Sequence, residues 1–360
     1  MTGLTLVEVL FAVAVLGLLY PYLLYPLLLR GVARYFARPL TANAGELPTI
    51  AILVSAFNAE RRIRDKIANF DSLDYPADRI QLWIGTDCSD DRTADVIRAI
   101  ANPRVRLIER RQRGGKTAVL NDLARRANAE IFVITNVDAL FRPDAIRQLV
   151  AVLADPTVGL ASGRTETERA EWSLSSRESS CGWSSGADGA IYAMRAELYR
   201  ELPAELISDL AHPCDVAAAG WQARFASLAI SDEPQSDDAG RELHRQARIT
   251  AQEAYLLAVE TRVLVLAGCW GMLWVLLSRK WMRWTFAIWM VLGSITLALL
   301  SPALGLLEGA LLVALVAGWI AGGRWAEPPI HFILIHLAHM QGLWHALKGR
   351  RYATWEPGAG

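Results

Sequence analysis

Between Thr49 and Arg113 the apolar residues follow two alternating rhythms. Short runs rich in β-branched residues (TIAILVSA, IQLWIGTD, VRLIER) are separated by stretches in which apolar positions recur every three or four residues. The pattern predicts strands at about 49–56, 80–86, 104–109 and 130–135, with helices at about 59–72, 92–101, 116–128 and 143–153 between them. Such alternation implies parallel strands joined by right-handed crossovers. After Gly159 the rhythm loosens into a strand near 158–164, a Ser- and Arg-rich stretch, a strand at 188–195, a helix at about 209–219 and a strand at 222–229.

The two ends of the chain read differently. Leu4 to Leu29 is nearly uncharged, and its Leu, Val and Phe residues, at about −0.3 to −0.6 kcal/mol each, outweigh Pro21, Pro26 and a peripheral Glu8. This predicts a transmembrane helix. Arg30, Arg34 and Arg38 follow it, so by the positive-inside rule the chain emerges on the cytoplasmic side. From Arg241 to Arg262 charged and apolar residues alternate at helical spacing, as in a helix lying on a membrane surface. The runs 284–300 and 302–322 are long enough to cross a hydrocarbon core of ~30 Å, whereas 263–277 fits an interfacial or re-entrant helix. The run 330–347 leaves two topologies open, because the KGRRY segment at its end favours the cytoplasm.

The predicted organisation is therefore a membrane helix with its basic flank (1–38), a linker (39–48), a cytoplasmic α/β domain (49–240), interfacial helices (241–283), C-terminal transmembrane helices (284–347) and a tail (348–360). The whole reads as a multi-pass protein of the inner cell membrane. Composition agrees: 53% of the 360 residues are apolar, more than one soluble α/β domain needs. Most of the thirteen Trp lie after residue 269, as an interfacial belt would place them. Zero net charge and the lack of a basic patch with interleaved aromatics argue against nucleic acid as a partner. Four cysteines without a CxxC pair offer no zinc site.

Candidate chemistry gathers where strands end, the ligand-binding edge of an open α/β sheet. Asp87 follows the second strand and Asp138 the fourth. Carboxylates placed so can meet a nucleotide and a divalent ion, since Mg2+ and Mn2+ take oxygen ligands and share substrate phosphates. An alternative for Asp87, Ser89 and Asp90 is a simple helix cap. RQRGGKT fails as a phosphate loop of the Walker type because Arg110 stands where its first Gly belongs. A Gly-Gly-Lys turn that opens a helix can still present amides and the Lys116 ammonium to a diphosphate.

Taken together, SAFNAERRIRDKIANFDSLDYP, TDCSDDRT, RGGKTAVLN and TNVDAL resemble the family-2 glycosyltransferases, in particular the membrane-bound branch of cellulose, hyaluronan and poly-N-acetylglucosamine synthases. The resemblance runs from about Pro48 to Trp284. It implies a GT-A-type (Rossmann-like) α/β domain and inverting transfer of a sugar from a nucleotide donor, with UDP as the expected nucleotide. The acceptor would be a lipid or a growing glycan at the cytoplasmic membrane face, for polysaccharide or glycolipid synthesis. By the same resemblance Ala56, Asn58, Glu60, Asp87, Lys116 and Asn136 line the donor, and Asp138 holds Mg2+ or Mn2+. Asp209, at the start of the helix ending in Gly220-Trp221, is the catalytic base. Glu178, Gly186 and Gly189 in RESSCGWSSGADGAIYAMRAELY, with Arg245 and Arg248 in HRQARI, take the acceptor or diphosphate side. Membrane lipids and subunits of a synthase or export assembly would be further partners.

Three departures remove charge or backbone freedom from that pattern. Asn136 replaces the first Asp of the metal-binding DxD, Cys88 replaces a Gly, and Ser208 replaces the first acid of the base pair. The metal would then rest mainly on Asp138. Ile249 stands where processive synthases carry a Trp that stacks on the acceptor. A degenerate domain serving as a non-catalytic subunit is the alternative these losses leave open.

Overall fold

The computed structural model describes residues 5–41, 45–166, 169–234 and 239–352. The chain opens with α1 (Leu6–Leu19), a π-helical turn (Tyr20–Leu24) and α2 (Tyr25–Phe36), which run on as one helix of 31 residues. There follow β1 (Ile50–Ala56), α3 (Ile63–Asp71), β2 (Ile80–Asp87), α4 (Thr93–Ile100), β3 (Val105–Arg110), α5 (Gly115–Ala124) and β4 (Ile131–Asn136). These match the predicted strand–helix alternation. Next come β5 (Leu140–Phe141), α6 (Ala145–Leu153), β6 (Val158–Thr165), α7 (Arg169–Ser180), β7 (Tyr192–Arg195), α8 (Ser208–Ala218) and β8 (Gln222–Asp232). The C-terminal helices are α9 (Ala239–Leu266), α10 (Trp270–Leu276), α11 (Met282–Trp284), α12 (Phe286–Leu300), α13 (Pro302–Ile320) and α14 (Glu327–Leu347).

The strands form one mixed sheet in the order β3-β2-β1-β4-β7-β6-β8-β5. β3, β2, β1 and β4 are parallel, β7 enters antiparallel between β4 and β6, and β8 runs parallel to β6. Alternate residues of β1 explain the two layers. Ile50, Ile52 and Val54 join Ile63 and Ile67 of α3 and Leu149 of α6 on one face, while Ala51 and Leu53 join Val119, Leu120 and Leu123 of α5 on the other. A third apolar cluster mounts this sandwich on the C-terminal helices: Leu210 and Cys214 of α8 pack with Leu257 of α9, Met272 and Leu273 of α10, and Trp284.

Two elements were not predicted. α7 occupies the Ser- and Arg-rich stretch, whose residues favour caps and turns over helix interiors. Tertiary contacts override that propensity: α7 lies against α2, and the Arg38 amide donates to the Ser180 carbonyl at 2.7 Å. β7 starts at Tyr192 rather than 188 because Asp188 forms a turn first, its carboxylate accepting from the amides of Thr165 (2.7 Å) and Ala190 (2.9 Å). The short β5 was below the reach of periodicity.

Of the described helices, Leu6–Phe36 and Pro302–Ile320 are long and apolar enough to cross a membrane. A third span results if Trp270–Trp284 and Phe286–Leu300, bent by 58°, are counted as one. α1 and α12 approach closely through small residues: a side chain at Gly17 would strike the Trp289 ring, and one at Gly293 would touch Ala14 at 3.8 Å. α14, whose placement the sequence left open, lies along α9, with Gly342 against Thr250 and Arg351 stacked on Tyr255 at 4.2 Å.

Candidate active site

Two loops at the carboxyl ends of β1 and β2 clasp each other. The Asn58 amide donates to Ser89 Oγ (3.2 Å) and the Asp90 amide donates to Asn58 Oδ1 (2.9 Å). The Glu60 amide donates to Asp91 Oδ2 at 3.0 Å, and the Glu60 carboxylate pairs with Arg92 at 2.6 Å. Ala56 is buried at the end of β1. Asn58 and Cys88 both take left-handed backbone angles, φ 49° and 58°. Cys88 therefore fills a conformation in which Gly costs nothing and a residue with Cβ is strained. Asp87 is 3% exposed and turns inward, accepting from the amides of Gly114 (2.8 Å) and Gly115 (2.7 Å). It holds the Gly-Gly turn that delivers Lys116.

Lys116 reaches across the end of β4. Its ammonium donates to Asn136 Oδ1 at 2.6 Å, and the Asn136 amide nitrogen donates to Glu233 Oε1 at 2.9 Å. Glu233 follows β8 and lies close enough to Asp138 for their charges to interact. Sequence reasoning missed it, since no motif marks the exit of the last strand and only its acidic character hinted at a role. Asp138 is the main expected metal ligand, and Glu233 brings a second carboxylate near it, on the side where Asn136 lacks one. An Asp at 136 would face Glu233 as a like charge, whereas the amide donates to it. Burial pushes the Glu233 carboxyl up, and the Asp138 charge adds to this against the pull of the Asn136 amide. Two carboxylates pressed together at a strand edge are hard oxygen donors that fit Mg2+ or Mn2+. Among the described residues no third His, Cys, Asp or Glu joins them, so donor phosphates and water would complete the shell.

Beneath this pair lies Lys66, 2% exposed, its ammonium donating to Thr135 Oγ1 (3.0 Å) and the Ala139 carbonyl (2.5 Å) on either side of Asn136 and Asp138. Burial lowers its pKa from 10.5 to about 7, the charges of Asp138 and Glu233 opposing. Above pH 7 the folded protein sheds this proton while the unfolded chain keeps it to about 10.5, so stability rises with pH across that window. In chelator, the midpoint of thermal unfolding followed by Trp fluorescence should climb with pH more steeply in the wild type than in Lys66→Met. The slope contributed is at most about 1.4 kcal/mol per pH unit.

Asp209 sits in the first turn of α8. A Cβ at Gly189 would lie 2.7 Å from Asp209 Oδ2 and 3.7 Å from Lys116 Nζ, so carboxylate and ammonium flank one spot that only glycine leaves open. The Asp209 carbonyl accepts from the Ala187 amide at 2.6 Å, fixing the preceding loop to the helix start. Below, His212 Nδ1 bonds Tyr192 Oη at 3.0 Å; burial lowers the imidazole to about 3, which keeps it neutral. Arg248 lies near enough for the Asp209 charge to support its guanidinium, though burial is the larger influence and lowers its pKa. Arg245 instead pairs with Glu242 at 2.9 Å and is half exposed.

Next to Asp209, across the 184–188 loop, opens a cavity of about 400 Å³ between β6, α7 and the C-terminal helices α9, α11 and α14. Gly186, with φ 137°, lines it. Glu178 lies in its wall, but the carboxylate is committed: it is 1% exposed, accepts from Tyr25 Oη at 2.6 Å and pairs with Arg279 at 3.2 Å. Trp183 packs so closely on Gly271 that any side chain there would strike its ring.

Residues 51–205 match the family described as glycosyl transferase family 2. That segment is similar to the family-2 glycosyltransferases. Over 126 residues, 33% of this chain and 26% of the relative, it is 32% identical to a beta-monoglucosyldiacylglycerol synthase of Synechocystis. A protein of the same name from Trichormus variabilis is 29% identical over 36% of this chain and 29% of the relative. The match thus spans under a third of these relatives' length. Their names correct the expected branch, which was that of cellulose and hyaluronan synthases. A mannosyltransferase structure from Pyrobaculum calidifontis, in complex with GDP-mannose and Mn2+, superimposes with a TM-score of 0.76 at 21% identity, covering 96% of this chain and 100% of that one. The fold is accordingly GT-A-like, with a mixed sheet and long apolar helices at the N-terminus and in the C-terminal region.

Proposed function

We propose that this protein transfers a sugar, with inversion, from a nucleoside diphosphate donor to a lipid acceptor at the cytoplasmic face of a membrane. One observation carries the reading: Asp209 and Lys116 flank Gly189, and Lys116 leads through Asn136 to the Glu233–Asp138 pair. A base, a cation for diphosphate and a set of metal ligands thus meet at one sheet edge. The loops holding Asn58, Glu60 and Asp87 would take the nucleoside, and Lys116 and Arg248 the diphosphate. Asp209 would accept the proton of the acceptor hydroxyl as that oxygen bonds the anomeric carbon from the face opposite the leaving group. A divalent ion on Asp138 and Glu233, when bound, neutralises charge on the departing diphosphate. The names of the relatives support a glycolipid product, and the apolar helices support a membrane location.

The full chain in detergent, given UDP- or GDP-sugars, Mn2+ and extracted lipid, should release nucleoside diphosphate and form a chloroform-soluble glycoside. Glu233→Gln should raise the Mn2+ concentration needed for half-maximal rate by about tenfold, in the range seen when metal-site partners are lost. Nucleotide binding without turnover under every donor would instead favour a non-catalytic subunit.

A further inference from the structure

Lys66 stands where the two turns that frame the site are tied together. Its Nζ donates to the Ala139 carbonyl at 2.5 Å and to Thr135 Oγ1 at 3.0 Å, so one nitrogen holds both ends of the turn that carries Asn136 and Asp138. The helix under it is fixed to the same segment. Asn69, one turn along α3, accepts from the Phe141 amide and donates to the Phe141 carbonyl, each at 2.8 Å, and Lys66 Nζ lies 4.4 Å from the centre of the Phe141 ring.

Thr135 carries the hold to the second turn. A lysine ammonium can only donate, so the Thr135 hydroxyl accepts from it and directs its own proton elsewhere. The nearest acceptor is the Ala190 carbonyl at 2.6 Å, against 3.2 Å for that of Asn136. Ala190 closes the turn begun by Asp188 and follows Gly189, the spot flanked by Asp209 and Lys116. Thr135 and Ala139 are 0% exposed and Lys66 2%, so water does not replace these bonds when one is lost.

Building on the function proposed above, we infer that Lys66 is a positioning residue: it sets the spacing between the Asn136–Asp138 turn and the Gly189 turn, and so between the donor diphosphate and the hydroxyl that Asp209 deprotonates. It acts through Ala139 on the first turn and through Thr135 on the second. A role as a plain charge predicts the opposite sign. A cation beneath Asp138 and Glu233 repels a divalent ion, so its loss would by charge alone tighten metal binding. The loss of a positioning group loosens the turn and weakens it.

The test uses the full-length protein in detergent with saturating UDP or GDP, and reads Mn2+ binding from the electron paramagnetic resonance of the free ion. Lys66→Met keeps the reach of the side chain and removes its donor. Its Mn2+ dissociation constant should rise about tenfold, as when groups that support a metal's ligands are removed. Thr135→Val keeps the shape and removes the hydroxyl. Its kcat at saturating Mn2+ should fall about tenfold or more with KM for the donor unchanged, because a small shift of the Gly189 turn misplaces the reacting groups. Thr135→Ser, which restores the hydroxyl, should recover most of that rate. Equal or tighter Mn2+ binding by Lys66→Met, a wild-type kcat in Thr135→Val, or a Thr135→Ser variant as slow as the valine one would overturn the inference. The Thr135 pair decides the matter if Lys66→Met does not fold. Failure of the wild type to bind any nucleoside diphosphate, measured by calorimetry, would instead overturn the functional reading beneath it.

Discussion

Asp209→Asn should abolish sugar transfer, lowering kcat by about 10²–10⁴, the span that a positioned general base contributes. Nucleoside diphosphate affinity should hold, because the 58–60, 87–91 and 114–116 loops stay clasped by bonds that do not involve Asp209. The isosteric amide keeps the shape beside Gly189, where a larger group has no room. Single-turnover assays at saturating donor, paired with calorimetry, separate the two effects. A variant that turned over at the wild-type rate would remove the base from the mechanism.

Glu178→Ala should produce the largest loss of stability. The carboxylate and the Arg279 guanidinium are both nearly inaccessible, at 1% and 7%, and Tyr25 Oη completes the group. Removing one member of a buried ion pair leaves the other charged and unpaired, which costs about 3–5 kcal/mol. Replacing both at once, Glu178→Gln with Arg279→Met, should cost much less, since no naked charge remains. Thermal inactivation of the detergent-solubilised protein measures both variants. Similar losses in the two would mean that packing, rather than the uncompensated charge, dominates there.

How much of this was legible beforehand depended on the range of the interaction involved. The strands β1 to β4 and their helices are written in local periodicity, because each residue of a buried parallel strand must be apolar and each crossover helix shows one apolar stripe. Asp87, Lys116, Asn136 and Asp138 were visible for the same reason, as polar residues just after such runs. Glu233 was not, since its meaning arises only when β8 runs parallel to β6 and brings its end beside β4's loop. Resemblance alone put Glu178 on the acceptor side; its partners, Tyr25 and Arg279, lie 153 and 101 positions away and no local pattern announces them. α7 is hidden by composition and formed by contact.

The first helix is fastened to the rest at several points. Tyr20 Oη meets Ser278 Oγ at 2.9 Å and receives the Trp274 indole at 3.1 Å, and past the helix end the Arg38 carbonyl accepts from Arg224 at 2.7 Å. A leash would let the sheet domain swing; this strut holds it in one pose against the first helix. Exchanging α1 and α2 for a foreign segment of equal greasiness would keep the protein at the bilayer and still misalign the donor with whatever rises from below.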